Sequence, residues 1–160
     1  MLRVNIICVG KLKEKYLKDA VAEYSKRLGA FCKFSVIELD EEKTNSDPNE
    51  AGIEKILEAE GKRILAKTDR MDHVIAMCIE GKQMPSEKFA AYLERAAVNG
   101  DSTVDIIIGG SWGLSDDVKK RADLRLSMSE MTFPHQLARV MLCEQLYRAF
   151  SITAGTKYHK

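Results

Sequence analysis

At 160 residues, 45% hydrophobic and 31% charged, the chain has enough apolar side chain for a sizeable core and too little length for a second full domain, so one domain over residues 1–160 is expected. A formal charge of +1 does not announce a nucleic-acid binder, and local clusters of Lys and Arg must decide that question. No segment approaches the roughly 20 apolar residues of a membrane span, and the short run Val4 to Val9 is followed by Lys11 and Lys13 with no cleavage site, so a cytoplasmic protein with no membrane partner is expected.

Leu2 to Val9 is apolar and β-branched, ends at Gly10 and reads as a strand. Tyr16, Leu17, Ala20, Val21, Tyr24 and Leu28 then recur at helical spacing, and Phe34 to Leu39 makes a second short strand. Asp40 to Asn49 is polar and acidic, contains Pro48, and is expected to be a flexible loop. Ile53, Ile56, Leu57, Ile64 and Leu65 mark the next helix, with Glu58 and Lys62 spaced for a solvent-side pair. Gly61 lies inside that helix and should weaken it by about 1 kcal/mol relative to alanine.

His73 to Glu80 is a third strand, closed by Gly81, and Pro85-Ser86 opens a helix whose core face is Phe89, Tyr92, Leu93, Ala96 and Ala97. Val104 to Ile108 reads as one apolar run, the pattern of a strand buried on both faces of a parallel sheet. Ser115, followed by Asp116 and Asp117, caps a short helix, and Leu124 to Met128 offers a fifth strand. The final helix is predicted from about Pro134 to Phe150. Its apolar residues, from Leu137 through Leu142 and Leu146 to Phe150, cover more than one buried stripe, so one face is expected to meet another subunit. The alternation predicts an α/β fold, a mostly parallel sheet covered by helices, with ligands beyond the carboxyl ends of its strands.

Two loops gather at that end. Gly109-Gly110-Ser111-Trp112-Gly113-Leu114 carries glycines that permit positive φ and close approach of a ligand to the backbone. It also satisfies G-x-S-x-G: Ser111 as nucleophile, His135 or His159 as base and Asp116, Asp123 or Glu130 as orienting acid fit the chain order of a serine hydrolase. The context does not fit, because an elbow's helix begins at the serine whereas Ser115 is the better cap, and no HGGG-type oxyanion loop is present. Neither a dinucleotide fingerprint nor a P-loop is found. The plainer alternative is that the glycines merely end a strand.

In the second loop, Ser127 to Gln136, Met128, Met131 and Phe133 alone would suit a core, but they alternate with Ser127, Ser129 and Thr132. Apolar groups beside free backbone amides and carbonyls suit an adenine-like ring. Pro134 starts the helix and leaves His135 in its first turn, where a histidine is more often a capping or packed residue. Thr156 to Lys160 reads as a solvated tail, yet it is basic and aromatic enough to meet RNA, and Lys11, Lys13, Lys15 and Lys18 form a second basic strip. Cys8, Cys32, Cys78 and Cys143 read as reduced core residues, and a zinc site using His73, His135 or His159 lacks ligand spacing, so no metal is expected.

Taken together, Gly10 to Tyr16, Glu60 to Leu65, Ile108 to Ser111, Met131 to Gln136, Glu144 to Ala149 and the terminal Tyr158-His159-Lys160 closely resemble the RlmH (YbeA) family of SPOUT-class methyltransferases of bacterial large-subunit ribosomal RNA. The resemblance runs from end to end. It implies a SPOUT α/β-knot with a C-terminal trefoil knot, a homodimer, and S-adenosyl-L-methionine held bent in the knotted loops at the subunit interface. Physics alone speaks against a knot, since knotted chains are rare. The implied reaction is methylation of N3 of a pseudouridine in helix 69 of 23S rRNA on the assembled ribosome, without a metal. The implied cofactor contacts are Met77, Gly109 and the loop residues Met128, Ser129, Glu130, Met131, Thr132 and Phe133; Met77 stands where relatives often carry leucine, and Trp112 fills a variable slot. Transfer from a sulfonium depends on positioning more than on a nucleophile. The N3 proton must still leave, and His159, Tyr158 or His135 can take it or orient the ring, the tail ranking first because a partner's tail can reach the pocket. The non-catalytic rival is a SPOUT-like ribosome-binding protein, against which the intact Gly109 loop and tail argue.

Overall fold

The computed structural model describes residues 1–160. Strands β1 (Arg3–Val9), β2 (Lys33–Leu39), β3 (His73–Lys82), β4 (Thr103–Ile108) and β5 (Leu124–Leu126) form one sheet in the order β2-β1-β4-β3-β5, and every pairing is parallel. Helices α1 (Lys15–Leu28), α2 (Glu50–Leu65), α3 (Ser86–Val98), α4 (Asp116–Arg121) and α5 (His135–Thr153) complete the α/β architecture that the alternation predicts. None is long and apolar enough to cross a membrane.

The period of two along the strands sorts the core into two layers. Val4, Ile6 and Cys8 of β1, Ile75 of β3 and Val104, Ile106 and Ile108 of β4 pack against Val21 and Leu28 of α1, Phe89 and Leu93 of α3, and Leu142 and Leu146 of α5. On the other face, Ile7, Val9, Val74, Ala76 and Ile107 meet Ile64 of α2 and Val118 of α4. Both faces are dry, as a parallel sheet requires.

Reading Val104 to Ile108 as wholly apolar overlooks Asp105, which is fully buried. Its Oδ1 accepts from Asn5 Nδ2 at 2.8 Å, and Asn5 Oδ1 in turn accepts from Ser35 Oγ at 2.6 Å, a polar chain across three strands. Oδ2 has no hydrogen-bond donor, and burial pushes the Asp105 carboxyl up to about 7.

Other expectations shift for local reasons. The fifth strand ends at Leu126 rather than Met128, because Leu126 is paired with both Met77 and Lys82 of β3 and the Ser127 N–H is already given to the Lys82 carbonyl at 2.9 Å. The last helix continues past Phe150 to Thr153. Its surplus apolar surface is largely used within the chain, because α5 lies against both α1 and α3, leaving Leu137 at its start exposed. Glu58 and Lys62 are both exposed and form no ion pair. Gly61 is a packing residue: a Cβ there would lie 2.5 Å from Ser115 Oγ and 3.2 Å from Ser115 Cβ, so α2 and α4 touch only because that atom is missing. The loop after β2 is tied down at its start, where Arg63 donates to the Asp40 carbonyl at 3.1 Å and to the Glu42 carboxylate.

Candidate active site

A cavity of about 900 Å³ opens beyond the carboxyl ends of β3, β4 and β5. Residues 77–80, 108–114, 126–129 and 131–135 form most of its wall, joined by Leu57, Asp116, Lys119 and Ala138. It therefore lies where an open parallel sheet places its ligands.

The turn after β4 is pinched shut. Gly113 N–H donates to the Gly110 carbonyl at 3.1 Å, the two residues form an antiparallel bridge, and Gly113 sits at φ +91°. A Cβ on Gly109 would strike the Gly113 carbonyl, so this close return of the chain demands glycine. Ser115 Oγ accepts from Val118 N–H and α4 begins at Asp116, well past Ser111. A nucleophile elbow is thus not formed, which removes the hydrolase reading.

The loop after β5 is shaped by its own hydroxyls. Ser127 Oγ donates to the Ser129 carbonyl at 3.0 Å, and Ser129 Oγ accepts from Met131 N–H at 3.0 Å. Opposite, Gly81 lets β3 lie directly on β5, since a Cβ there would come within 2.8 Å of the Arg125 and Leu126 backbone. Met77, Gly109, Met128, Ser129, Met131, Thr132, Phe133 and His135 all line the cavity, whereas Glu130 is exposed and does not.

Charged and titratable side chains stand at the cavity wall and, in Arg139, behind it. Lys119 Nζ pairs with Glu80 Oε1 at 2.5 Å and holds that carboxyl below its ordinary value. His135 is half-buried, and burial pushes its imidazole below the ordinary histidine value, so the ring is neutral near pH 7. Arg139, one turn further along α5, is 1% exposed; it donates to Glu38 Oε2 at 2.7 Å and to the Gly10 carbonyl at 3.0 Å. Gln136 Oε1 accepts from Lys13 N–H at 3.1 Å. The start of α5 is in this way tied to the ends of β1 and β2, and the Lys11 to Lys15 segment lies beside the cavity.

The tail departs from the solvated reading. Tyr158 donates to Glu144 Oε2 at 2.6 Å, and its ring packs on Tyr147 and under the Arg148 guanidinium. His159 sits between Glu87 Oε1 at 2.7 Å and Arg148 at 3.2 Å. These contacts hold the tail against α3 and α5 of its own chain, and neither Tyr158 nor His159 lines the cavity.

Sequence reasoning did not place Cys78, Glu80, Lys119 or Leu57 at this wall. Cys78 was expected in the core, and Cys8, Cys32 and Cys143 are indeed buried, but the Cys78 thiol is half-buried on the cavity side. Arg139 had a partial signal, an arginine set among Leu137, Ala138, Val140, Met141 and Leu142.

A family model described as a predicted SPOUT methyltransferase matches residues 2–159. Over 159 residues the chain is 58% identical to the ribosomal RNA large subunit methyltransferase H of Streptococcus thermophilus, covering 99% of this chain and 100% of that one. The corresponding protein of Streptococcus pneumoniae is 53% identical with the same coverage. Among solved structures, a Legionella pneumophila methyltransferase-like chain in complex with SAM is 14% identical with a TM-score of 0.50, the match covering 92% of this chain and 66% of that one. A methylase-family protein from Haemophilus influenzae is 13% identical with a TM-score of 0.54, covering 98% and 70%. Those two likenesses speak for the fold alone. The glycine-pinched turn, the parallel sheet and the match along nearly the whole chain agree: the chain belongs to the SPOUT methyltransferase family.

Proposed function

We propose that the protein is an S-adenosyl-L-methionine-dependent methyltransferase of large-subunit ribosomal RNA, and that its target is N3 of a pseudouridine in helix 69 of 23S rRNA on the assembled ribosome. The observation that carries the reading is the cavity: a large recess whose floor is glycine backbone and whose wall alternates apolar side chains with hydroxyls and free backbone groups. That wall fits a nucleoside-bearing ligand. The relatives named ribosomal RNA large subunit methyltransferase H support the substrate class.

Bound there, the cofactor supplies a methyl group activated on a sulfonium. The chain's part is to position it: Met77, Gly109, Met128, Ser129, Met131, Thr132 and Phe133 hold the donor, and Glu130 contributes through the loop backbone because its side chain is exposed. His135, neutral and at the wall, can receive the N3 proton. Tyr158 and His159 are pinned away from their own cavity, so they act only in that of a second copy, which calls for a homodimer. Exposed Ile79, Trp112, Met131, Phe133 and Leu137 form an apolar rim that a second subunit would cover. A C-terminal trefoil knot is part of the same reading and rests on membership of the family, whose model covers residues 2–159. One SPOUT domain acting on ribosomes implies a cytoplasmic protein, and near-neutral charge implies weak binding to free RNA.

The test is transfer of labelled methyl from S-adenosyl-L-methionine to ribosomes lacking the modification. Label at the helix 69 pseudouridine is expected, with little on an isolated helix 69 hairpin. No transfer to 23S rRNA, or equal transfer to the hairpin, overturns the corresponding part. If His159→Ala and Tyr158→Phe retain full single-turnover rates, the tail has no chemical part and His135 remains.

A further inference from the structure

Glu60-Gly61 on α2 belongs to no part of the machinery described so far. Gly61 lets α2 rest on Ser115, the cap of α4, just beyond the pinched turn. Glu60 supports the same turn from below. It is 5% exposed, its Oε2 accepts from Glu42 N–H at 3.0 Å, and its Oε1 lies 3.4 Å from where a Cβ on Gly110 would stand. Gly110 itself lines the cavity, so this carboxyl stands, beside Val9, behind a residue of the ligand wall.

No cation of the chain hydrogen-bonds Glu60. Arg63, the nearest candidate, is spent on Glu42 and the Asp40 carbonyl. Burial pushes the Glu60 carboxyl above its ordinary value; the hydrogen bond from Glu42 N–H and the Arg63 charge oppose that, and the carboxylates of Glu41 and Glu42 add to it. A carboxylate kept inside with one hydrogen bond and no paired cation is costly, and a cation arriving on the other side of Gly110 would offset that cost. The donor of the proposed reaction carries such a charge at sulfur. Its product, S-adenosyl-L-homocysteine, is a neutral thioether.

We propose that Glu60 is a positioning residue that acts through Gly110 to favour the cationic methyl donor over its neutral product. The proposal rests on the cofactor reading above. It explains why a buried acid stands under the glycine turn, and it assigns to α2 the release of spent cofactor: once the methyl has left, the attraction is gone.

The test is calorimetric titration of the full chain with each ligand. In Glu60→Gln the affinity for S-adenosyl-L-methionine should fall about tenfold, the loss of one charge interaction of moderate strength, while that for S-adenosyl-L-homocysteine stays within about twofold of wild type. Equal losses for both ligands would make Glu60 a structural prop and overturn the proposal, as would no change in either. If the variant does not fold, the wild type decides. Its preference for the donor should shrink as acidification puts a proton on Glu60, whose carboxyl burial holds above its ordinary 4.5, and a ratio still flat when that value is reached overturns the proposal. The same titration in His135→Gln removes the cavity histidine, which gains positive charge on acidification. Failure of the wild type to bind either ligand would sink the cofactor reading itself, and this proposal with it.

Discussion

Replacing Asp105 with asparagine should stabilise the protein at neutral pH, although the residue is fully buried and hydrogen-bonded. The carboxyl is pushed by burial from 3.8 to about 7, with Asp72 beside it raising it further. In the unfolded chain it ionises near its ordinary value, so between these limits the native state holds a proton that the unfolded state releases. Stability from this group is therefore complete below about pH 4, declines as pH rises and levels off above about pH 7. Each pH unit of the gap is worth about 1.4 kcal/mol, so up to about 4 kcal/mol is lost by neutrality. Asparagine keeps the oxygen that accepts from Asn5 at 2.8 Å and places an N–H donor where Oδ2 has none. Urea unfolding at fixed protein concentration, from about pH 4 to about pH 8, should show the two proteins nearly equal at the acid end. At about pH 8 D105N should lead by about 2 to 4 kcal/mol. Taking the difference cancels the other carboxylates, several of which shift the opposite way. A difference that does not vary with pH, or a D105N less stable at pH 8, refutes the reasoning.

Gly61→Ala gains about 1 kcal/mol of helix propensity but drives a methyl into Ser115, and the overpacking, about 1 to 3 kcal/mol, wins; denaturant midpoints should fall, and S-adenosyl-L-methionine affinity with them. Arg139→Met leaves the Gly10 carbonyl without its donor and Glu38 without its partner. It should cost about 2 kcal/mol, toward the low side because Glu38 reaches water, as thermal unfolding can check. Leu137→Glu puts a charge into the exposed apolar surface proposed as a dimer interface and should shift sedimentation toward monomer; an unchanged profile removes Leu137 from the proposed interface.

Much of the sheet was legible because its strands are apolar runs bounded by glycine, and Val9-Gly10 and Ile108-Gly109 mark strand ends correctly. The cavity was legible for a related reason: a glycine cluster and a mixed-polarity loop are local signals. What escaped depends on partners far along the chain. Nothing near Glu60 announces Gly110, nothing near Gly61 announces Ser115, and Leu126 cannot reveal that it serves two partners in β3. The tail was misjudged as solvated for the same reason, since Glu87, Glu144 and Arg148 are scattered over two helices that only the fold brings beside it.

Leu126, bonded to both Met77 and Lys82, works as a gauge of length. The stretch of β3 from Met77 to Lys82 is allowed one bulge, because both its ends must meet the same residue and Gly81 lies flush on the β5 backbone. Insertions here would be felt at once in the loop that follows Leu126, and so in the ligand space. The stretch between β2 and α2 can lengthen only beyond Glu42, whose N–H is held by Glu60, whereas the span from Met77 to Lys82 should keep its residue count even where every side chain in it has changed.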